Sequence, residues 1–384
     1  MKPAVITAEA LFDGSIMIRR PAVVVEDGRI ASVVSREAAE LPRDAETWDF
    51  PGATLAPAFL DIHIHGAAGH DVMDAAPEYP SAMGRFLASR GTGAYLATTV
   101  TAPLDRTLQA VSALAKIIAD GPVPGQARPV GIHLEGPFLS HAKRGVQPAE
   151  YLLAPDIATF DRLYDAAEGH VRLMTLAPEL PGAAELTAHA RARGVRVSLG
   201  HSNATAAETL PAIAAGASSA THTFNAMRQL DHREPGILGV ALTEDALYAE
   251  LVCDGIHTAP ETVRLWWRAK GAERCILVTD AMSATGMPDG EYVLGGFPVQ
   301  VANGRATARG VLAGSVLTLD RALLNFVQFT GAGVEQGLRL LTANPAAMLG
   351  IGDRGFALGQ PASLVAVDAD GRLLASVVNG ERVA

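Results

Sequence analysis

The sequence predicts an α/β fold: a (β/α)8 TIM barrel with a small β-sandwich domain built from both termini. Three observations predict it. Short apolar, β-branched runs alternate with Ala-rich amphipathic stretches eight times, at roughly 30-residue intervals, the size of a strand-plus-helix unit. Each run ends in polar or Gly residues. The two chain ends instead carry alternating segments joined by hairpin turns. A doubly wound open sheet is the alternative that the same alternation allows.

The eight runs are LAPAFLDIHIH (55–65), GAYLATTVT (93–101), PVGIHLEG (129–136), VRLMTLAPE (171–179), VRVSLGHS (195–202), ASSATHTFN (217–225), LYAELVCDG (247–255) and CILVTDAM (275–282). Helices are expected over 81–90, 104–119, 157–168, 183–193, 206–215 and 259–270. After the eighth run, GEYVLGGFPVQVANGRATA reads as a hairpin pair turning at Asn303-Gly304, and a helix over 316–329 closes the barrel. Near the start, VVVEDGRIASVV is two alternating segments joined by Asp27-Gly28. Near the end, ASLVAVDADGRLLASVVNGERV turns at Asp370-Gly371 and Asn379-Gly380. Neither end alone is large enough to bury a core. Residues 1–54 and 355–384 are therefore expected to form one sandwich domain beside a barrel of residues 55–354.

Composition narrows the function. Of 384 residues, 49% are hydrophobic and 19% charged, which supports a sizeable buried core. Lys and Arg total 31 against 41 Asp and Glu, a net charge of −10, which argues against nucleic acid or a polybasic membrane contact. No apolar run approaches the ~20 residues of a membrane span. The opening MKPAVITAEALFDG has no apolar signal region, so a cytoplasmic protein is expected. Cys253 and Cys275 lie in different apolar runs without CxxC spacing, which removes a disulfide framework and a zinc ribbon.

The polar residues that end the runs concentrate the chemistry. The first run ends in His63 and His65, the third in Glu135, the fifth in His201, the sixth in His222 and the eighth in Asp280. In a barrel, the C-terminal strand ends form the rim where active sites are built. Residues 63 and 65 project to the same side of a strand. Neutral imidazoles with one or two carboxylates are the ligand set of Zn or a similar divalent ion with an open position for water. His133, two before Glu135, shares its strand face and reads as either a supporting residue of the site or a satisfied core histidine. Asp61 is expected to orient the first strand by hydrogen bonds.

These residues carry a resemblance. PAFLDIHIHG (57–66) resembles the first-strand signature of the amidohydrolase superfamily. GIHLEGPFLS (131–140), TLAPE (175–179), GHSNAT (200–205), THTFNAM (221–227), REPG (233–236), DGIH (254–257), TDAMSATG (279–286) and LAGS (312–315) together resemble the N-acetylglucosamine-6-phosphate deacetylases. HxH alone marks the superfamily, whereas HLEGPF with THTFNAM marks the family. The resemblance spans nearly the whole chain, in order.

The resemblance implies metal-dependent removal of the N-acetyl group from N-acetylglucosamine 6-phosphate, releasing glucosamine 6-phosphate and acetate. Glu135, His201 and His222 would bind the metal, with Zn first and Fe, Co or Mn as alternatives. Some relatives keep both first-strand histidines and hold a second ion; this chain keeps His63 and His65, so one or two ions per subunit are open, with Glu135 as the bridge. Asp280 would be the general base and acid. Arg233, supplied across a homodimer interface, and His257 would hold the phosphate. Val146, Gln147, Asn225, Ala226, Leu312, Ala313 and Gly314 would line the sugar site.

One position departs from the family. After KRG a histidine is expected that helps to polarise the acetyl carbonyl, and this chain reads KRGVQ, placing Gln147 there. A Gln amide donates a hydrogen bond but carries no charge. N-acetylgalactosamine 6-phosphate is the alternative substrate. A cyclic-amide hydrolase, which would bridge two metals with a carboxylated Lys from the fourth strand, is disfavoured because VRLMTLAPE has no Lys. A metal-free scaffold protein on the same fold would have eroded ligands, and none is missing.

Overall fold

The structure is a computed structural model that describes residues 3–37, 42, 44–74, 79–352 and 356–384. Eight strands form the barrel: β1 (Phe59–Ile64), β2 (Thr92–Thr99), β3 (Arg128–Glu135), β4 (Val171–Leu176), β5 (Arg196–Leu199), β6 (Ser219–Ala220), β7 (Tyr248–Val252) and β8 (Cys275–Val278). Each pairs in parallel with the next in sequence order. The first and last meet through a parallel bridge between Ile64 and Ala281. Beside it, the Asp280 N–H donates to the His63 carbonyl and the His65 N–H to the Ala281 carbonyl, each at 2.8 Å. That closure excludes the open doubly wound sheet.

Each barrel strand has two covered faces. In β1 every residue is buried, yet the residues alternate in chemistry. Leu60, Ile62 and Ile64 join the large apolar cluster under the helices. Asp61 and His63 take the other face, toward the barrel interior. β3 repeats this with Ile132 and Leu134 against His133 and Glu135, and β7 with Ala249 and Leu251 against Glu250. The interior is thus a polar column at its rim end.

The helices follow from spacing and caps. Leu104–Ala119 buries Thr107, Ala110, Val111, Leu114 and Ala115, one face at i, i+3, i+4 spacing. Ile157–Ala166 starts at Asp156, whose carboxylate accepts the Thr159 N–H. Ala206–Ala214 opens on a capping box between Thr205 and Glu208. Pro260 opens Pro260–Lys270, where a missing N–H is harmless. Tyr79–Ser89 and Ala183–Ala192 complete the expected set. Gly236–Thr243, after β6, was not foreseen: seven of its eight residues, Gly236 to Leu242, are buried, so it has no polar face to give a helical period. The closing helix runs Leu319–Thr330, and two short helices, Val334–Leu341 and Ala343–Leu349, follow it.

Both termini share one sheet. Ala4–Phe12, Pro21–Glu26, Arg29–Ser35 and Glu46–Pro57 pair with Leu364–Val367, Leu373–Val378 and Glu381–Arg382 from the other end, and Met17–Arg19 pairs at the side. The sheet folds over a core that includes Ile6, Leu11, Val23, Ile30, Leu55, Leu364 and Val377. Its two arms meet where Arg29 bridges Pro361, making a small sandwich. Asp27-Gly28 and Asn379-Gly380 have positive φ at both positions, as tight hairpins need. The sequence division at 54/55 falls inside Glu46–Pro57, whose last residues pair with Leu364–Val367 before the chain enters β1. The division at 354/355 lies outside the described residues. A four-stranded meander, Gly290–Leu294, Phe297–Ala302, Arg305–Ala308 and Val311–Leu312, follows β8, with Asn303-Gly304 at its second turn. Among the described residues, no helix is long and apolar enough to cross a membrane.

Asp61 clasps the seam where β1 meets β8. Its carboxylate accepts from Thr279 Oγ1 at 2.6 Å, from the His63 N–H at 3.2 Å and from the Thr279 N–H at 3.4 Å. Burial pushes its pKa up to about 6 against those donors. Asp61→Ala strands three buried donors, each worth about 1–3 kcal/mol when unpaired. It is expected to lower the unfolding midpoint of metal-free protein by several degrees, with Asp61→Asn losing less because its carbonyl still accepts. Thermal unfolding followed by circular dichroism checks both.

Candidate active site

Six predicted residues converge at the rim. Glu135 Oε1 lies 3.1 Å from His201 Nε2, 3.2 Å from His222 Nε2 and 3.4 Å from His63 Nε2. Glu135 Oε2 lies 3.4 Å from His65 Nε2. Asp280 Oδ1 lies 3.1 Å from His65 Nε2 and 3.6 Å from His63 Nε2. Two groups result that could each hold an ion: Glu135 with His201 and His222, and His63 with His65 and Asp280.

The ring orientations fit a metal. His201 Nδ1 faces the Lys143 carbonyl at 3.0 Å, and His65 Nδ1 faces the Thr98 carbonyl at 3.1 Å. A carbonyl only accepts, so in both rings Nδ1 carries the proton and Nε2 turns a lone pair into the site. The His201 and His222 Nε2 atoms stand 3.1 Å apart, and those of His63 and His65 3.3 Å apart. Lone pairs facing each other and a carboxylate at such distances call for a cation between them. Burial alone would lower the His63 imidazole, but Glu135 and Asp280 hold it well above the ordinary value; His65 is raised too. Burial alone would raise Glu135 and Asp280, and the imidazoles hold both below the ordinary carboxylate range.

The rim backbone is held in place at a cost. His201, His222, Phe224, Ala226 and Asp280 all have positive φ, which non-Gly residues adopt only under constraint. Glu179, from TLAPE, supplies part of that constraint by accepting the Asn203 N–H and the Ser202 hydroxyl, each at 2.7 Å. The Ser140 N–H donates to the His201 carbonyl at 3.0 Å. The LAGS loop pins Asp280 through the Ser315 N–H on its carbonyl, at 2.6 Å. Gly314, at φ +62°, makes this approach possible: a Cβ there would stand 3.0 Å from the Asp280 carbonyl oxygen.

A cavity of about 370 Å³ opens above these groups, lined by His65, Glu135, His201, His222 and Asp280. Val146, Gln147, Asn225, Ala226, His257, Leu312 and Gly314 also line it. Ala313 instead packs into the apolar cluster of the meander. Arg233 is exposed and does not line the cavity of its own chain; its N–H bonds Asp231 Oδ1 at 2.8 Å. Gln147 is not directed at the cavity alone. Its amide donates to Glu135 Oε2 at 2.7 Å and accepts the Thr101 N–H at 2.8 Å.

Sequence reading missed three partners. Asp254 Oδ2 lies 2.6 Å from His257 Nδ1, while its Oδ1 accepts the Ile256 and His257 N–H groups. Burial alone would lower the His257 imidazole; the Asp254 carboxylate outweighs it and raises the pKa above the ordinary value. Glu250, fully buried, stands 3.4 Å from His63 Nδ1, with Ser198 and Ser219 hydroxyls at 3.4 and 3.2 Å. A hydroxyl chain links Ser198 through Thr221 and Thr175 to His133 Nε2, at 2.6, 2.8 and 2.8 Å. His133 thus belongs to the polar floor beneath the site, and burial, helped by His63, pushes its pKa well below the ordinary value. The only signal for Glu250 was an acidic residue inside the apolar run LYAELV. β4 supplies Thr175 to this floor and contains no Lys, so the bridging group of a cyclic-amide hydrolase is missing.

Comparison with known proteins agrees with this geometry. The model of the amidohydrolase family matches residues 54–383. The N-acetylgalactosamine-6-phosphate deacetylase of Escherichia coli O157:H7 is 40% identical over 347 residues, covering 90% of this chain and 89% of its own. The N-acetylglucosamine-6-phosphate deacetylase of Bacillus subtilis (strain 168) is 37% identical over 368 residues, covering 95% and 93%. Among solved structures, a mutant N-acetyl-D-glucosamine-6-phosphate deacetylase from Mycobacterium smegmatis, in complex with N-acetyl-D-glucosamine-6-phosphate, superposes with a TM-score of 0.92 over 100% of both chains at 34% identity. Enamidase, at 17% identity and a TM-score of 0.62, shares the fold. The chain belongs to the amidohydrolase family and, within it, to the N-acetylglucosamine-6-phosphate deacetylases.

Proposed function

We propose that this protein hydrolyses the acetamide of N-acetylglucosamine 6-phosphate, releasing acetate and glucosamine 6-phosphate. The observation that carries this assignment is one cavity whose floor holds the convergent imidazoles, Glu135 and Asp280, and whose wall holds the Asp254-backed His257. N-acetylgalactosamine 6-phosphate is the second reading, favoured by the 40% identical relative of that name.

Glu135, His201 and His222 would hold a divalent ion, with room for a second at His63, His65 and Asp280. Their mixed nitrogen and oxygen donors suit Zn first, and Fe, Co or Mn. Such an ion supplies Lewis acidity, which lowers the pKa of water toward ~7 and polarises the acetyl carbonyl. Asp280 accepts the proton of the attacking water and returns it to the departing amine, which would otherwise be a poor leaving group. His257 binds the phosphate as an imidazolium, and Arg233 reaches the neighbouring cavity of a homodimer to complete the anion site. Asn225, Ala226 and the Leu312–Gly314 segment orient the sugar. A phosphorylated sugar does not cross a membrane unaided, which supports a cytoplasmic site of action.

The deciding experiment is acetate release by purified protein from the two epimeric 6-phosphates and their unphosphorylated parents, before and after chelation. Activity on a 6-phosphate, lost on chelation and restored by Zn or a neighbouring ion, is expected. No acetate from either 6-phosphate by metal-replete protein ends the proposal.

Asp280→Asn is expected to lower kcat at least ~10²-fold, the low end for a lost general base, while the protein still retains metal. An unchanged kcat with metal bound removes Asp280 from the proton-transfer role.

The raised pKa of His257 sets a sign for pH dependence. Its positive charge is present below that pKa and is lost as pH rises through it. The sugar phosphate, with a second pKa of about 6, stays dianionic there. KM for the 6-phosphate should therefore climb on the alkaline side, with no matching rise for the unphosphorylated sugar. Asp254→Asn should move the climb to lower pH. Parallel KM profiles for the two substrates would remove His257 from phosphate binding.

A further inference from the structure

The Gln147 carboxamide is committed at both ends. Its side chain is 3% exposed, Oε1 accepts the Thr101 backbone N–H at 2.8 Å, and Nε2 donates to Glu135 Oε2 at 2.7 Å. A backbone N–H can be received only by the amide oxygen, so the NH2 end necessarily faces the carboxylate, which only accepts. Its own backbone is tied down as well: Arg144 Nη1 donates to the Gln147 carbonyl at 2.8 Å, and the Gln147 N–H to the Arg144 carbonyl at 3.0 Å.

The other partner of this bond needs orienting. The terminal torsion of a glutamate is broad and nearly two-fold, so it does not by itself choose which oxygen faces where. The His201 and His222 Nε2 atoms stand against Oε1, and His65 Nε2 against Oε2. Those imidazoles must keep lone pairs free for an ion, so they cannot also fix the carboxylate by donating to it. The Gln147 amide can. It adds a directional bond and no charge, leaving the full negative charge of Glu135 for a cation.

We infer that Gln147 is a positioning residue for Glu135: it fixes the plane of the carboxylate between the two ion-holding groups and so sets how tightly the site binds its divalent ion. The inference deepens the metal-hydrolase assignment and rests on it. It replaces the role that the sequence suggested for Gln147, polarising the acetyl carbonyl.

The test is the zinc dissociation constant, measured by chelator competition at fixed pH with no substrate present. Gln147→Met keeps length and bulk but neither donates nor accepts. It is expected to weaken zinc binding by about 10–100-fold, the range for losing a group that orients a metal ligand, and its activity deficit should shrink as zinc is raised. Circular dichroism and thermal unfolding of the metal-free variant control for folding. If Gln147→Met does not fold, Gln147→Ala is read in the same way. Zinc affinity within twofold of wild type, with kcat at saturating zinc still lowered tenfold or more, overturns the inference in favour of carbonyl polarisation. Because the measurement uses no sugar, it separates from the deacetylase proposal: a wild-type protein that holds zinc through Gln147 yet releases no acetate would fail that proposal alone.

Discussion

A carboxylate buried inside a protein costs several kcal/mol unless positive charge and donors surround it, and Glu135 is such a carboxylate. It sits at the end of β3 with four imidazoles within 3.4 Å. Three of those rings have Nδ1 facing a carbonyl or carboxylate oxygen: the Lys143 and Thr98 carbonyls for His201 and His65, and Glu250 for His63. Their Nε2 atoms are thereby aimed inward. The protein has built a cage whose inner surface is almost wholly electron-rich. In the metal-free state, Glu135 and Asp280 hold the His63 and His65 imidazoles above their ordinary pKa, which favours protons there. A divalent ion would displace those protons, which ties metal affinity to pH.

The rest of the fold can be read as what keeps that cage from relaxing. Left-handed backbone at His201, His222 and Asp280 would relax in an isolated loop. Here His201 and Asp280 are bonded to neighbouring segments, and His222 is held through its own neighbours, with the Thr221 N–H on the Leu199 carbonyl and the Thr223 N–H on the Glu250 carbonyl. His201 is held by Ser140 and, through Ser202 and Asn203, by Glu179. Asp280 is held by His63 on one side and Ser315 on the other. Below the rim, Glu250, Ser198, Thr221, Thr175 and His133 form a continuous chain of polar contacts across the barrel interior. A buried network of this kind rigidifies a site when its members are satisfied. It also explains why these inward-facing strand positions carry hydroxyls where an ordinary barrel would carry Val or Ile.

How much of this was legible in the sequence depended on whether a residue broke a pattern. His63, Glu135, His201, His222 and Asp280 interrupt apolar runs at one relative position, so eightfold repetition exposed them. Gly236–Thr243 broke no pattern, because a helix buried on all sides has no polar stripe. β6 is only Ser219–Ala220, since the chain leaves the sheet just before the strained His222. Glu46–Pro57 crosses from the terminal sheet almost to β1 without a composition shift, and so the sequence offered no mark for where one sheet yields to the other. The partners of Glu250 and Gln147 were beyond reach for a different reason. They lie 187 and 12 residues from the groups they touch, His63 and Glu135, and no periodicity encodes a contact across the barrel or the fold-back of a loop onto its own strand end.

The polar floor and the apolar wall of the cavity come from different parts of the chain. The groups proposed to move the proton and hold an ion stand at strand ends, where a packed barrel fixes them. Much of the cavity wall comes from the meander after β8: Leu294, Phe297, Val311 and Leu312 line it, and the meander packs on an apolar cluster that it shares with Met73, Val100, Met282 and Ala284. The meander is bonded to the rim through the Ser283 hydroxyl on the Val293 carbonyl and the Gly295 N–H on Asp71 Oδ2, and just beyond it Ser315 and Gly314 pack on the Asp280 carbonyl. Val311 is exposed and Phe297 and Leu312 are only half-buried, so few core contacts constrain this part of the wall. Substitution there reshapes the wall without touching the cage around Glu135.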